Sequence, residues 1–266
     1  MADRQSIERY RAATSDLSVR VADELAAYFA ALDLSRPEAT RDALLEFMPL
    51  LVAQYGQVAE VLAMDWYDEL LADSGAAGSF RVTAPAAASV TAERVESKIR
   101  YLAGQLWTPE PAAMLGGLLT ATDKYVKQSG RDTIAWNAHR EGASWARVPT
   151  GSKTCSFCLV LASRDAAFAT EKSAGSKKYG SDNEFHGRCD CEIVRLGPGD
   201  EYPAGYLPDD FYDMYSIARD KSGSDPDVQK FMDSLDPSDK NKQLKGVVFA
   251  MRREFPGHVT DGVHTH

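Results

Sequence analysis

Residues 155–191 hold every cysteine of the chain and constrain its fold more than any other stretch. They begin Cys155-Ser-Phe-Cys158 and, 27 residues later, end His186-Gly-Arg-Cys189-Asp-Cys191. Four cysteines and one of five histidines thus fall within 37 residues of a 266-residue chain. A C-x2-C turn presents two thiolates to one ion through a tight backbone knuckle, and the second cluster carries the further donors a tetrahedral site needs. The array predicts a metal centre, zinc by preference, drawn from Cys155, Cys158, His186, Cys189 and Cys191. Four of the five are expected to ligate, Cys155 and Cys158 foremost. Cys189 and Cys191 are not both required, and the histidine serves either as a ligand or as a hydrogen-bond partner of one.

Such a thiolate-rich site leaves no open position for water, so its expected role is structural. The His-x-Glu … Pro-Cys-x-x-Cys signature of zinc deaminases is missing, and so is His-Glu-x-x-His. No catalytic residue is assigned.

The rest of the chain reads as helices. Leu17, Val21, Leu25 and Leu32 fall on one face of a helix over about 5–32. Ser35-Arg-Pro37-Glu38 has the form of a capping box and opens a second helix over about 37–73, with Pro49 expected to kink it. Its stripe of Leu, Met and aromatic residues reads as plain core. Ser74-Gly-Ala-Ala-Gly78 breaks the pattern, and Pro85-Ala-Ala-Ala-Ser89 reads as a loop. Helices follow over about 91–106 and 109–142, the second expected to start from Thr108 as N-cap and to loosen at Gly116-Gly117 and Gly130. Short strands are expected at 144–149 and 192–195, with an exposed polar loop at 165–184 between them. Helices at 209–220 and 238–254, separated by a turn at 225–234, complete the pattern. The fold class is therefore mainly α: a long-helix N-terminal body, a small α+β zinc-knuckle subdomain and C-terminal helices. The expected divisions are a helical hairpin at 1–74, a helical body at 75–144, the knuckle at 145–200 and a helical segment at 201–266.

Charge bounds the partners. The net charge is −9, and residues 1–74 carry 14 acids against 6 bases, whereas 75–150 carry 6 against 9. Acidic flanks disfavour tight non-specific duplex binding, which needs many phosphate contacts, but leave room for weak local contact with DNA in the middle. Lys172, Lys177 and Lys178 in the polar loop are candidates for touching DNA or an acidic partner. No apolar run reaches 18 residues and the first residues lack an apolar leader, so no membrane partner and a reducing cytoplasm are expected. Asp200, Asp209, Asp210 and Asp213 do not have the spacing of a calcium loop and read as a solvated face.

Several of these motifs carry a resemblance. Arg147-Val-Pro, Thr154-Cys-Ser-Phe-Cys158, Ala162-Ser-Arg164, Phe185-His-x-x-Cys189-Asp-Cys191 and Met251-Arg-Arg-Glu-Phe-Pro256 resemble the Mu F-like minor head proteins of tailed phages, in the form found in phages of actinobacteria. Gly187 and Asp190 stand where that broader family often has proline and arginine. The resemblance implies a minor capsid or head-morphogenesis protein, made in the host cytoplasm and carried in the virion, inside the capsid near the portal vertex. Its implied partners are the portal protein and the major capsid or scaffolding protein. Some relatives are labelled capsid maturation proteases, which is one alternative. A treble-clef-type metal-dependent nuclease using His186 or His139 is another.

Overall fold

The computed structural model describes residues 3–75, 78, 80–151, 153–164, 185, 187 and 189–259. Helix α1 (Arg4–Ala30) starts where the Asp3 carboxylate accepts the Ser6 N–H at 2.6 Å. Its Ile7, Tyr10, Leu17, Val21, Leu25 and Phe29 are buried at three- and four-residue steps, which is the period of one helix face. Helix α2 (Pro37–Asp73) runs through Pro49 without ending there. The expected capping box is not formed: Arg36 is the N-cap, with no side-chain cap, and the Ser35 hydroxyl donates instead to Asp33 at 2.6 Å. Asp33 lies two residues away and competes for that hydroxyl more closely than the helix N–H groups do.

Among the described helices α2 is long and apolar enough to cross a membrane, at mean hydropathy 1.2 over its most apolar window. Here it is a core helix, burying Leu44, Met48, Leu51 and Val52 against α1, α3 (Ala92–Ala103) and α4 (Met114–Glu141). Two 3-10 turns, Gly104–Trp107 and Pro111–Ala113, join α3 to α4. Thr108 therefore does not cap α4; its hydroxyl donates to the Gln105 carbonyl and accepts from Glu110 N–H between the two turns. From Met114 the helix is continuous through Gly116, Gly117 and Gly130 and ends on Gly142 at φ 78°. Gly130 is a point of close approach of α4 to α1 and α2. A Cβ there would lie 2.9 Å from Tyr10 Oη and 3.1 Å from the Ala59 carbonyl oxygen.

Strand β1 (Ser144–Pro149) pairs antiparallel with β2 (Cys191–Leu196), in a register that sets Ser144 opposite Leu196 and Pro149 opposite Cys191. The pair is buried against α4 and α5 (Ser156–Ala162), and its Trp145, Val148, Ile193 and Val194 share one apolar cluster with Ile7, Tyr67 and Ile134 of the long helices. Beyond β2 come α6 (Pro208–Ser224), α7 (Pro226–Asp233) and α8 (Lys242–Glu254). The stretch expected as a turn at 225–234 is helix α7, because Asp225 accepts the N–H groups of Asp227 and Val228 and Pro226 takes the first helical position. Leu159 and Val160 of α5 pack with Ala218, Val228, Val247 and Met251 of these three helices.

Candidate metal centre

The strand register builds the site. Pairing Pro149 with Cys191 brings the chain leaving β1, which turns into Cys155 and α5, beside the chain entering β2. The ligand atoms of Cys158, Cys189, Asp190 and Cys191 lie within 4.8 Å of one another, a grouping able to hold a metal ion. The Cys158 and Cys189 sulfurs are 3.3 Å apart, and both residues are buried with Cys191. Cys189 and Cys191 converge because residues two apart in extended chain share a face. Both therefore enter the group. Gly187 makes room for this segment on α4, where a Cβ would stand 2.5 Å from Thr120 Cγ2.

The two remaining candidates differ. Cys155 is the N-cap of α5, and its sulfur accepts the Cys158 N–H at 3.2 Å. Bonds of this kind, backbone N–H to cysteine sulfur, stabilise the thiolate form that a metal needs. His186 and the lysines at 172, 177 and 178 lie outside the described residues. Asp190 is committed elsewhere. Its carboxylate accepts the Gly151 N–H at 3.1 Å and the Thr154 hydroxyl, while its carbonyl accepts from Thr150. It thereby ties the turn after β1 to the turn before β2.

Two arginines missed by sequence reasoning complete the centre. Arg131 of α4 and Arg147 of β1 are 2 % and 1 % exposed, and both guanidiniums lie over the Phe185 ring, 3.9 and 4.0 Å from its centroid. Arg131 donates to the carbonyls of Cys189 at 3.2 Å and Cys191 at 2.6 Å, so α4 fixes the backbone that carries both thiols. Glu192, 4 % exposed, approaches Arg131 at 3.7 Å, and burial pushes its carboxyl up. Burial lowers the Arg147 pKa, which the neighbouring Cys189, Cys191 and Cys158 oppose. Two of the thiols, Cys158 and Cys191, are pushed up. For Cys158 this comes through hydrogen bonds with Cys155 and Cys189; for Cys191 the Cys189 contact and burial outweigh the lowering contact with Cys158. The signal for these arginines was positional: Arg131 stands three and seven residues before Ile134 and Ala138, on the core face of α4.

The other sequence candidates lie elsewhere. His139 is exposed in the last turn of α4. Asp200 accepts from Arg195 at 2.9 Å and from Gly197 N–H at 2.7 Å, and Asp209, Asp210 and Asp213 are exposed on α6.

A sequence profile described as VG15 protein matches residues 1–218, which covers α1 through most of α6. The chain belongs to the VG15 protein family. It is similar to the Gene 15 protein of Mycobacterium phage D29, 28% identical over 121 residues that cover 35% of this chain and 44% of the phage protein. The match thus spans less than half of that relative's length. No solved structure matches the chain. The VG15 match contains all four cysteines, both buried arginines and the strand pair, so the centre lies wholly inside the family region.

Proposed function

We propose that this VG15 protein is a minor head protein of a tailed phage, carried inside the capsid near the portal, and that a structural zinc ion staples its strand pair and α5 to the helical body. Membership over residues 1–218 supports the first half, together with likeness to a mycobacteriophage protein and the Mu F-like motifs. The function then resides in surfaces presented to the portal and to the capsid or scaffolding protein. The buried helical core and the metal centre give those surfaces a fixed frame.

The observation that carries the zinc reading is charge. Two guanidiniums are buried beside the cysteine group, and one buried carboxylate, Glu192, stands against them. A buried charge is costly, and charge of opposite sign close by lowers that cost. Four thiolates around a divalent ion carry two net negative charges, which sets negative charge beside Arg131 and Arg147 in addition to that of Glu192. Soft sulfur donors at tetrahedral number suit zinc. The ligands in this reading are Cys155, Cys158, Cys189 and Cys191, with Cys155 drawn into the group through its knuckle. Asp190, whose Oδ2 accepts from Gly151 and Thr154, is left out of this set. His186 stands outside the ligand set in this reading.

Elemental analysis of the purified chain tests the centre. One zinc per chain is expected, retained by His186→Ala and lost with Cys155→Ser. Retention by Cys155→Ser with loss in His186→Ala would exchange those two residues in the ligand set, and zinc absent from the wild type would remove the centre. Mass spectrometry of purified particles tests the location. Particles without this chain would overturn it.

A further inference from the structure

Helices α3 and α4 border an open groove of about 660 Å3, whose lining includes Arg94, Lys98, Gly116, Thr120, Lys124 and Tyr125. Among the described residues of its lining, three side chains are cationic and none is acidic, on a chain whose net charge is −9. Arg94 and Lys98 stand one turn apart on α3, about 6 Å along its axis, and Lys124 reaches the groove from α4. Cations therefore meet the groove from both walls. Its floor is low, since a Cβ on Gly116 would meet nothing within 4 Å.

We propose that this groove binds the phosphate backbone of double-stranded DNA without reading sequence. The proposal rests on the head-protein reading for its source of DNA, but not for its chemistry. A polyanion suits the groove better than a small anion, because the cations are spread along two helices. Duplex carries one negative charge per about 1.7 Å of axis, so spaced cations find phosphates without a fixed register. Duplex suits it better than a single strand. Single-strand sites offer exposed rings on which bases stack, whereas Tyr125, the aromatic among the described lining residues, is buried with the Arg94 guanidinium 5.4 Å over its ring. The other walls are glycine, alanine and threonine, which admit close approach of a backbone.

Fluorescence anisotropy of the full chain with a labelled duplex of about 25 base pairs, and with the matching single strand, tests this across a salt series. Three phosphate contacts give a log–log salt slope of about −2.7, so affinity falls about 40-fold between 50 and 200 mM salt. The Lys98→Glu/Lys124→Glu pair is expected to bring the slope to about −0.9 and to weaken binding at 50 mM more than tenfold. Lys230→Glu/Lys240→Glu, with the same charge change far along the chain on α7 and in the turn before α8, serves as the control. Absence of duplex binding by the wild type at 50 mM overturns the proposal. So does an equal loss in the control pair, or tighter binding of the single strand. If particles lack the chain yet duplex binding maps to the groove, the head reading fails and the groove stands; particles that contain a chain unable to bind duplex give the converse.

Discussion

Glu141→Gln is expected to destabilise the fold by about 2 kcal/mol, because the carboxylate is the hub of a clamp joining α2, α4 and β2. Arg195 of β2 donates from Nε to Glu141 Oε2 at 2.7 Å and from a terminal nitrogen to Oε1, a bidentate pair. Its other terminal nitrogen reaches Asp200 at 2.9 Å, and Tyr67 of α2 donates to Glu141 at 2.6 Å. The Arg195 side chain is 3 % exposed and that of Glu141 14 %. Removing one partner of a fully buried pair costs about 3–5 kcal/mol. Glu141 keeps some water and Asp200 remains on the guanidinium, which places the cost below that range. Urea unfolding of the wild type, Glu141→Gln, Arg195→Met and the double variant closes a mutant cycle, with an expected coupling of about 2 kcal/mol. Exposed pairs give at most about 1 kcal/mol. A coupling under about 0.5 kcal/mol would show the clamp to be a surface pair in energetic terms and would refute the reasoning.

The same clamp has a pH signature. Burial alone would raise the Glu141 pKa, but hydrogen bonds from Arg195 and Tyr67 hold it below its ordinary 4.5. The native state therefore binds fewer protons here than the unfolded chain near pH 4. The clamp's contribution is full above about pH 4.5 and is lost as pH falls through the lower native value. Stability of the wild type is expected to drop more between pH 6 and 3 than that of Glu141→Gln.

Asp132 behaves oppositely: burial raises it from 3.8 to about 6 against hydrogen bonds from Gln128 and Ser89, so its contribution favours folding below pH 3.8 and is lost as pH rises through about 6. Asp132→Asn is expected to change little at pH 4 and to stabilise by about 3 kcal/mol at pH 8, checked by urea melts at the two values; equal effects at both would sink the assignment. Gly130→Ala is expected to cost about 1–2 kcal/mol in the same assay, although alanine favours helix by about 1 kcal/mol, because its Cβ would press on Tyr10 and on the Ala59 backbone. A stabilised Gly130→Ala would mean that α2 and α4 part freely at their crossing.

The long helices were legible because their information is local. Leu44, Met48, Leu51 and Leu70 recur at helical spacing whatever they pack against, and Asp225-Pro226 announces a helix start that a count of apolar residues overlooks. Local rules failed where two partners competed for one group. Asp33 took the Ser35 hydroxyl that a capping box required. At the centre, the array marked which cysteines come together, and the register of β1 with β2 gave that group, compatible with a metal ion, its place. Arg131 and Arg147 were not legible as site residues, since their roles depend on Cys189, Cys191 and Phe185, and the Cys191 carbonyl bound by Arg131 is 60 positions away. A charged residue on a core face is a flag in sequence, but only a tertiary contact says what it answers.

Helix α5 shows why the centre belongs to the whole fold. At seven residues it is too short to hold its own conformation in water. One side, through Cys158 and Ala162, enters the cluster of α1, α2, α4 and the strand pair. The other, through Leu159 and Val160, enters the cluster of α6, α7 and α8. Tyr206 adds a hydrogen bond from its hydroxyl to the Ala162 carbonyl at 2.9 Å. The short helix is thus the joint between two apolar clusters, and Cys155 and Cys158 frame its first turn. In the zinc reading, fixing that turn to Cys189 and Cys191, whose carbonyls Arg131 already holds, ties the joint to α4. Removing the ion should then loosen the strand pair and, through Leu159 and Val160, the cluster that holds α8.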